Sequence, residues 1–314
     1  VTLGSLLAGA GIPQPAGIFL DLHPREGSAM RVFDTLFGTN RDQAPTVIQR
    51  HSAFTRIWHW VNAICLLVLL MSGLQIFNAH PALYWGKDSH FDSPALSIRA
   101  VSGNDGELRG ITQVGAYRFD TTGVLGVSGP REARERRAFP AWITLPGPRW
   151  LAMGREWHFL AGWIFAPMLI AYLLYLAISG QLRRRLLPRR HEWRTLGHTL
   201  YEHLRLRFPR GEEARHYNLL QKLAYLLVLF VITPLIVLTG LTMSPTMDAA
   251  WPWLLDVFGG RQSARTIHFL CAVALVGFFL IHIVLVLVSG VVNNLRSMIT
   301  GRYVLPPEKE ADNE

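Results

Sequence analysis

Four histidines, His59, His158, His268 and His282, stand within or at the start of long apolar stretches of the chain. A titratable ring placed in hydrocarbon is costly, so each is a candidate for function. A lone one could serve as a hydrogen bond between helices; four together ask for more. His268 and His282 are 14 residues apart. At 100° and 1.5 Å per residue they lie within about 40° of one helix face and about 21 Å apart along it. One helix therefore offers a ring near each side of a bilayer, with Leu275 and Phe279 on the same face between them. That spacing suits two flat iron macrocycles, each held by a pair of imidazoles. Bis-imidazole ligation saturates the iron, which fits electron transfer rather than oxygen binding or activation. Zinc or non-haem iron would need three or four ligands converging on one point, and the separation forbids that for the full set.

A second pattern accompanies the first. Arginine stands three residues before three of the histidines, in Arg56-Ile-Trp-His59, Arg155-Glu-Trp-His158 and Arg265-Thr-Ile-His268. Residues three apart share a helix face. Each arginine sits one turn toward water, where a haem propionate would emerge, and guanidinium pairs well with carboxylate. Arginines that snorkel at helix ends are the plainer reading, and the threefold recurrence beside candidate ligands favours the functional one. His51 is a rival ligand, about 12 Å before His59 along a helix and at headgroup level. His80, His90, His191, His198, His203 and His216 fall in loops and read as solvated.

These side chains need elements to hold them. Half of the 314 residues are hydrophobic, with a mean hydropathy of +0.22. The apolar residues gather in four blocks, Ile57–Phe77, His158–Ser179, Leu219–Met243 and His268–Val292, which lack Asp, Glu and Arg; Lys222 lies at the edge of the third. About 20 apolar residues span the roughly 30 Å hydrocarbon core. The fold class that follows is an all-α integral membrane protein, a four-helix bundle embedded in lipid. Pro234 in the third helix removes a backbone hydrogen bond and predicts a kink.

The net charge of +9 is not a nucleic-acid signal, because the basic residues sit between the spans. Residues 181–218 carry ten Arg against four Glu, whereas 244–264 has only Arg261 as a basic residue. The positive-inside rule places the first loop in the cytoplasm. Both termini are then cytoplasmic, and the long loop 78–156 is outside. Its ten basic residues do not oppose this, since long loops cross largely regardless of charge. Helix direction then pairs the histidines by depth, His59 with His282 toward the inner side and His158 with His268 toward the outer.

The domain plan is an N-terminal extension (1–50), a cytochrome-type four-helix domain (51–305) and a polar tail (306–314). Within the extension, residues 1–29 are rich in Gly, Ala and Pro, and Met30 is a plausible true start. Phe33, Leu36 and Phe37, at helical spacing, suit a segment lying on the inner surface. The outer loop contains Gly- and Pro-rich turns and an expected strand at Ile111–Phe119. It carries interface-type aromatics, Tyr84, Trp85, Phe91, Tyr117, Phe119, Phe139 and Trp142, expected to face outward toward a partner; the alternative is a lid whose aromatics pack on themselves. Cys65 and Cys271 lie inside helices and read as packing residues, and the absence of C-x-x-C-H excludes covalent c-type haem.

Arg56-Ile-Trp-His59-Trp60, followed by Leu-Leu-Met-Ser-Gly-Leu at 69–74, resembles the first helix of bacterial cytochrome b561-like proteins. This group includes the cytochrome b subunits of nickel–iron hydrogenases, formate dehydrogenases and thiosulfate reductases. His268–His282 followed by Asn-Asn-Leu-Arg-Ser-Met-Ile-Thr-Gly-Arg (293–302) resembles their last helix. The resemblance covers about residues 46–306. It implies two stacked haems b in the bundle, quinone exchange at one end, and a catalytic subunit docked at the other. Within the group the chain most resembles thiosulfate reductase cytochrome b subunits, or the membrane anchor of a periplasmic molybdopterin oxidoreductase. A stand-alone oxidoreductase, taking electrons from a small diffusible donor to quinone, is the alternative. A proton-relaying transporter is disfavoured, since the blocks hold no mid-membrane Asp or Glu.

Overall fold

The computed structural model describes residues 46–103, 106–130, 133–195, 197, 201 and 219–305. The expectations for the extension before residue 46, for most of the basic loop 181–218 and for the tail 306–314 lie outside the described residues.

Among the described residues, four helices are long and apolar enough to cross a membrane. They are α1 (Ala53–Phe77), α2 (Leu151–Ile178), α3 (Leu219–Met243) and α4 (Arg261–Val288). The hydroxyl of Ser52 caps α1 by accepting from the Thr55 amide at 3.2 Å, which satisfies one of the first-turn N–H groups. In α3 the backbone widens into a π turn at Val228–Ile232, directly before Thr233 and Pro234. The proline's missing N–H is absorbed there, so the disturbance lies just upstream of Pro234. Leu227, Val231, Leu280, Ile281 and Leu287 are exposed on these helices, as expected where lipid replaces a protein neighbour.

After α4 the chain forms a short helix, α5 (Val291–Thr300), and then strand β8 (Arg302–Val304). This strand pairs antiparallel with β1 (Val47–Gln49). The turn between them requires glycine at 301: φ is +84°, and a Cβ would fall 2.5 Å from Gln49 Nε2 and 3.0 Å from the His51 carbonyl. The pairing holds the start of α1 and the end of α4 on one side of the bundle.

At the opposite end, the segment between α1 and α2 forms a β subdomain. Strands β2 (Ala82–Leu83), β3 (Leu96–Ser102), β4 (Leu108–Val114) and β5 (Tyr117–Asp120) make one antiparallel sheet in sequence order. β6 (Gly126–Ser128) pairs with β7 (Glu135–Arg137). The strand expected at Ile111–Phe119 is a hairpin: Val114 pairs with Tyr117 around Gly115, whose φ is +56°. A tight turn with positive φ reverses the chain where alternation alone reads as continuous. Phe77, Leu83, Ile98 and Ala138 form the core of this region, with Phe139 and Phe269 packed against it. The outward placement of Tyr84 and Phe139 is therefore corrected. Tyr84 is 2% exposed, and both serve to seat the subdomain on the ends of α1 and α4, where burial outweighs display. Trp85, Phe91, Tyr117, Phe119 and Trp142 are exposed.

Candidate functional site

An open cavity of about 3520 Å³ runs along the bundle, lined by all four candidate histidines together with Leu275 and Phe279. That is several times the roughly 300–1,000 Å³ of a pocket for a drug-sized ligand. The structure brings the histidines together in two pairs. The ring centroids of His59 and His282 are 6.3 Å apart, and those of His158 and His268 are 6.2 Å apart. Two imidazoles on opposite sides of one metal, each at the usual 2.0–2.1 Å through nitrogen, would have centroids about 6.3 Å apart. Among the described residues no group of three or more His, Cys, Asp or Glu converges on a point, so the donor set is pairwise.

His158 and His268 are held in the same way by two different helices. Ser72 of α1 donates its hydroxyl to the Val68 carbonyl at 2.6 Å. Its oxygen is then an acceptor for the Nδ1–H of His158, 3.0 Å away, and the Leu69 carbonyl accepts from the same ring. In α3, Thr239 donates to the Leu235 carbonyl at 2.7 Å. Its oxygen lies 3.2 Å from His268 Nδ1, and the Ile236 carbonyl accepts from that nitrogen at 2.9 Å. With the proton committed to Nδ1, Nε2 of each ring presents its lone pair to the cavity, the arrangement a metal-binding imidazole needs.

The residue after each hydroxyl is glycine. A Cβ at Gly73 would lie 3.3 Å from His158 Cε1, and one at Gly240 would lie 3.2 Å from His268 Cε1. The hairpins α1–α2 and α3–α4 thus repeat one device, in which Ser72-Gly73-Leu74 or Thr239-Gly240-Leu241 cradles the histidine of the next helix. Neither cradle was identified from the sequence. α3 carries no histidine, so only Pro234 drew attention to it; the signal was the hydroxyl–Gly–Leu triplet shared by two helices that each precede a ligand candidate.

The His59–His282 pair is set differently. His59 Nδ1 is buried without a hydrogen-bond partner among the described residues. Trp60 meets the His59 ring edge-on at 5.3 Å, and Phe278 stacks on His282 at 6.1 Å and 13°. Packing rather than hydrogen bonding orients these rings.

The three arginines also differ. Arg155 and Arg265 line the cavity; Arg265 donates to the His80 carbonyl, and Arg155 lies over the Phe159 ring at 5.7 Å. Arg56 donates to the carbonyl of Ile299. At that end of the cavity, Arg50 and Arg185 are lining residues. His51 lies among them, and burial, reinforced by the charges of Arg50 and Arg185, lowers its pKa to about 4. It is neutral near pH 7. Two facing rings per site, two glycine cradles and cationic side chains at the rim fit a planar macrocycle with carboxylate arms.

The profile of prokaryotic cytochrome b561 matches residues 50–301. The chain belongs to this family. It is accordingly a multi-pass membrane protein, an electron-transfer subunit of a haem b-binding family. A protein of Azospira oryzae with the provisional name protein-methionine-sulfoxide reductase subunit YedZ1 is 27% identical over 251 residues, 80% of this chain and 96% of that protein. No solved structure matches the chain.

Proposed function

We propose that this cytochrome b561-family protein holds two haems b, one between His59 and His282 and the other between His158 and His268. It passes electrons across a bacterial inner membrane between quinone and a periplasmic oxidoreductase, which we assign to the molybdopterin-dependent class. A bis-imidazole haem supplies one-electron transfer without an open coordination position. The protein's own residues fix the tautomers of His158 and His268, exclude water with apolar helix faces, and offer Arg155, Arg265, Arg50 and Arg185 to propionates, with Arg56 one turn away. The observation that carries this reading is the pair of ring separations, 6.3 and 6.2 Å, at two levels of one helix, about 21 Å apart.

The arginine excess of segment 181–218 supports a cytoplasmic side for that end of the bundle, with the His59–His282 site at the membrane level nearest it. The β subdomain then faces the periplasm above the His158–His268 site. Its exposed Trp85, Phe91, Tyr117, Phe119 and Trp142 are the side-chain types enriched at interfaces. The similarity to a subunit named for a reductase supports a partner enzyme over the stand-alone alternative.

The test is haem quantification on the purified protein. Two haems per chain are expected, with one lost in His282→Ala and the other in His158→Ala. A variant that retains both, with unchanged spectra, would refute the pairing.

A further inference from the structure

We infer that Arg137 of the β subdomain is a positioning residue for the His158 ligand, so that the subdomain forms part of one haem site. This rests on the reading that His158 and His268 hold a haem.

Arg137 lies on β7 and is 4% exposed. Its guanidinium reaches out of the subdomain into the junction of α1 and α2. One terminal nitrogen, Nη1, donates to the Gly147 carbonyl at 2.7 Å. The other, Nη2, donates to Gln75 Oε1 at 2.7 Å and to Thr144 Oγ1 at 3.0 Å. Among the described residues, Glu135, at 3.4 Å, is its one carboxylate partner. Hydrogen bonds offset part of the cost of burying this guanidinium, and its planar fork of donors holds the groups it binds in fixed geometry.

The acceptors it fixes are those that set the register of the two helices. Gln75 lies three residues after Ser72, on the same face of α1. Its amide donates to the Pro148 carbonyl at 2.9 Å. Gly154, in the first turn of α2, packs on its chain so closely that a Cβ would sit 2.9 Å from Gln75 Cγ. The Leu145 amide donates to the Met71 carbonyl at 3.1 Å. The segment Thr144–Pro148 is therefore clamped between Arg137 and α1, and it leads straight into the helix that carries His158. One turn further into the bundle, Ser72 meets His158 Nδ1 at 3.0 Å. Loosening the clamp lets α2 slide on α1 at the level where that hydrogen bond is made. His59 and His282 share none of these contacts.

The experiment uses the full-length protein in detergent or nanodiscs. Arg137→Met, Arg137→Lys and Gln75→Met are compared by haem content, redox titration and low-temperature electron paramagnetic resonance. In Arg137→Met, the g values and midpoint potential of one haem should shift, or its occupancy should fall at least twofold, while the second haem's signals stay in place. The haem that responds should be the one missing from His158→Ala. Arg137→Lys, which keeps the charge and some donors, should restore part of the native spectrum. Gln75→Met keeps side-chain length and removes the acceptor; it should reproduce the selective shift, and it decides the matter if Arg137→Met does not accumulate. Both haems unshifted in Arg137→Met and Gln75→Met, or both disturbed alike, would overturn the inference. If His158→Ala itself retained both haems, the reading of the site would fail instead.

Discussion

The two histidine pairs have nearly the same ring separation and are built by opposite means. Around His158 and His268, hydroxyls, carbonyls and glycines predetermine ring orientation and tautomer before anything binds. Around His59 and His282, aromatic neighbours confine the rings while His59 Nδ1 has no partner among the described residues. The first pair is organised by the protein; on the proposed reading the second would be completed by the haem it holds. An imidazole whose Nδ1–H is hydrogen-bonded is a stronger donor and favours ferric iron. On the proposed reading, haems held in these two ways would have different potentials.

The comparison breaks most sharply at the glycines. Gly240→Val should abolish binding between His158 and His268, with roughly half of the total haem lost, because the first added carbon already crowds the ring and two methyls follow. Gly277→Val, on α4 where a Cβ meets nothing within 4 Å, should keep both haems. Equal losses in the two variants would mean that the cradle is ordinary helix packing.

Charge comes next. Arg155→Leu or Arg265→Leu should lower the potential of the His158–His268 haem by roughly 50–100 mV, as expected when a cation is removed from a partly screened site. At the other site, Arg50→Leu and Arg185→Leu should act more strongly than Arg56→Leu, whose guanidinium is committed to Ile299. Redox titrations ranking Arg56→Leu first would reverse that assignment.

A smaller effect belongs to the hydroxyls. Ser72→Ala or Thr239→Val each leaves one backbone acceptor in place, so the potential of that haem should rise by only about 20–60 mV, the equivalent of one neutral hydrogen bond. A fall in potential would contradict the donor-strength argument.

The smallest is a response to acid confined to the His59–His282 end. His51 is held neutral in the fold, with a pKa of about 4 against 6.5 when exposed. The unfolded segment binds the extra proton first, so this contribution to stability is complete above about pH 6.5 and is lost as pH falls toward 4. His51→Gln should flatten haem retention at that site over this window, and a profile unchanged from the parent would remove His51 as the cause.

The spans and the depth-matching of the histidines were legible because hydropathy and a 3.6-residue period are local quantities. The matched depths of His268 and His158, or of His282 and His59, follow from helix direction alone. The cradles were not legible, because Ser72-Gly73 and Thr239-Gly240 look like the small residues that any membrane helix uses for close packing. Arg137 was hidden among the ten basic residues of its loop; its role depends on a fold that brings β7 beside Gln75, 62 positions away. The β4–β5 hairpin was missed because a single glycine reversed an otherwise continuous alternation.

The antiparallel contact of β1 with β8 has a consequence for chain connectivity. The Leu305 amide meets the Thr46 carbonyl at 2.9 Å, so the polypeptide of this unit returns to where it set out. Topologically it is close to a ring made of two hairpins, α1–α2 and α3–α4, each bearing one cradle. The order in which those hairpins are translated is then a convention of the gene rather than a demand of the fold. A circular permutant joined from 305 to 46 and opened within 196–218 would insert α3–α4 first and still present all four histidines in the same pairs.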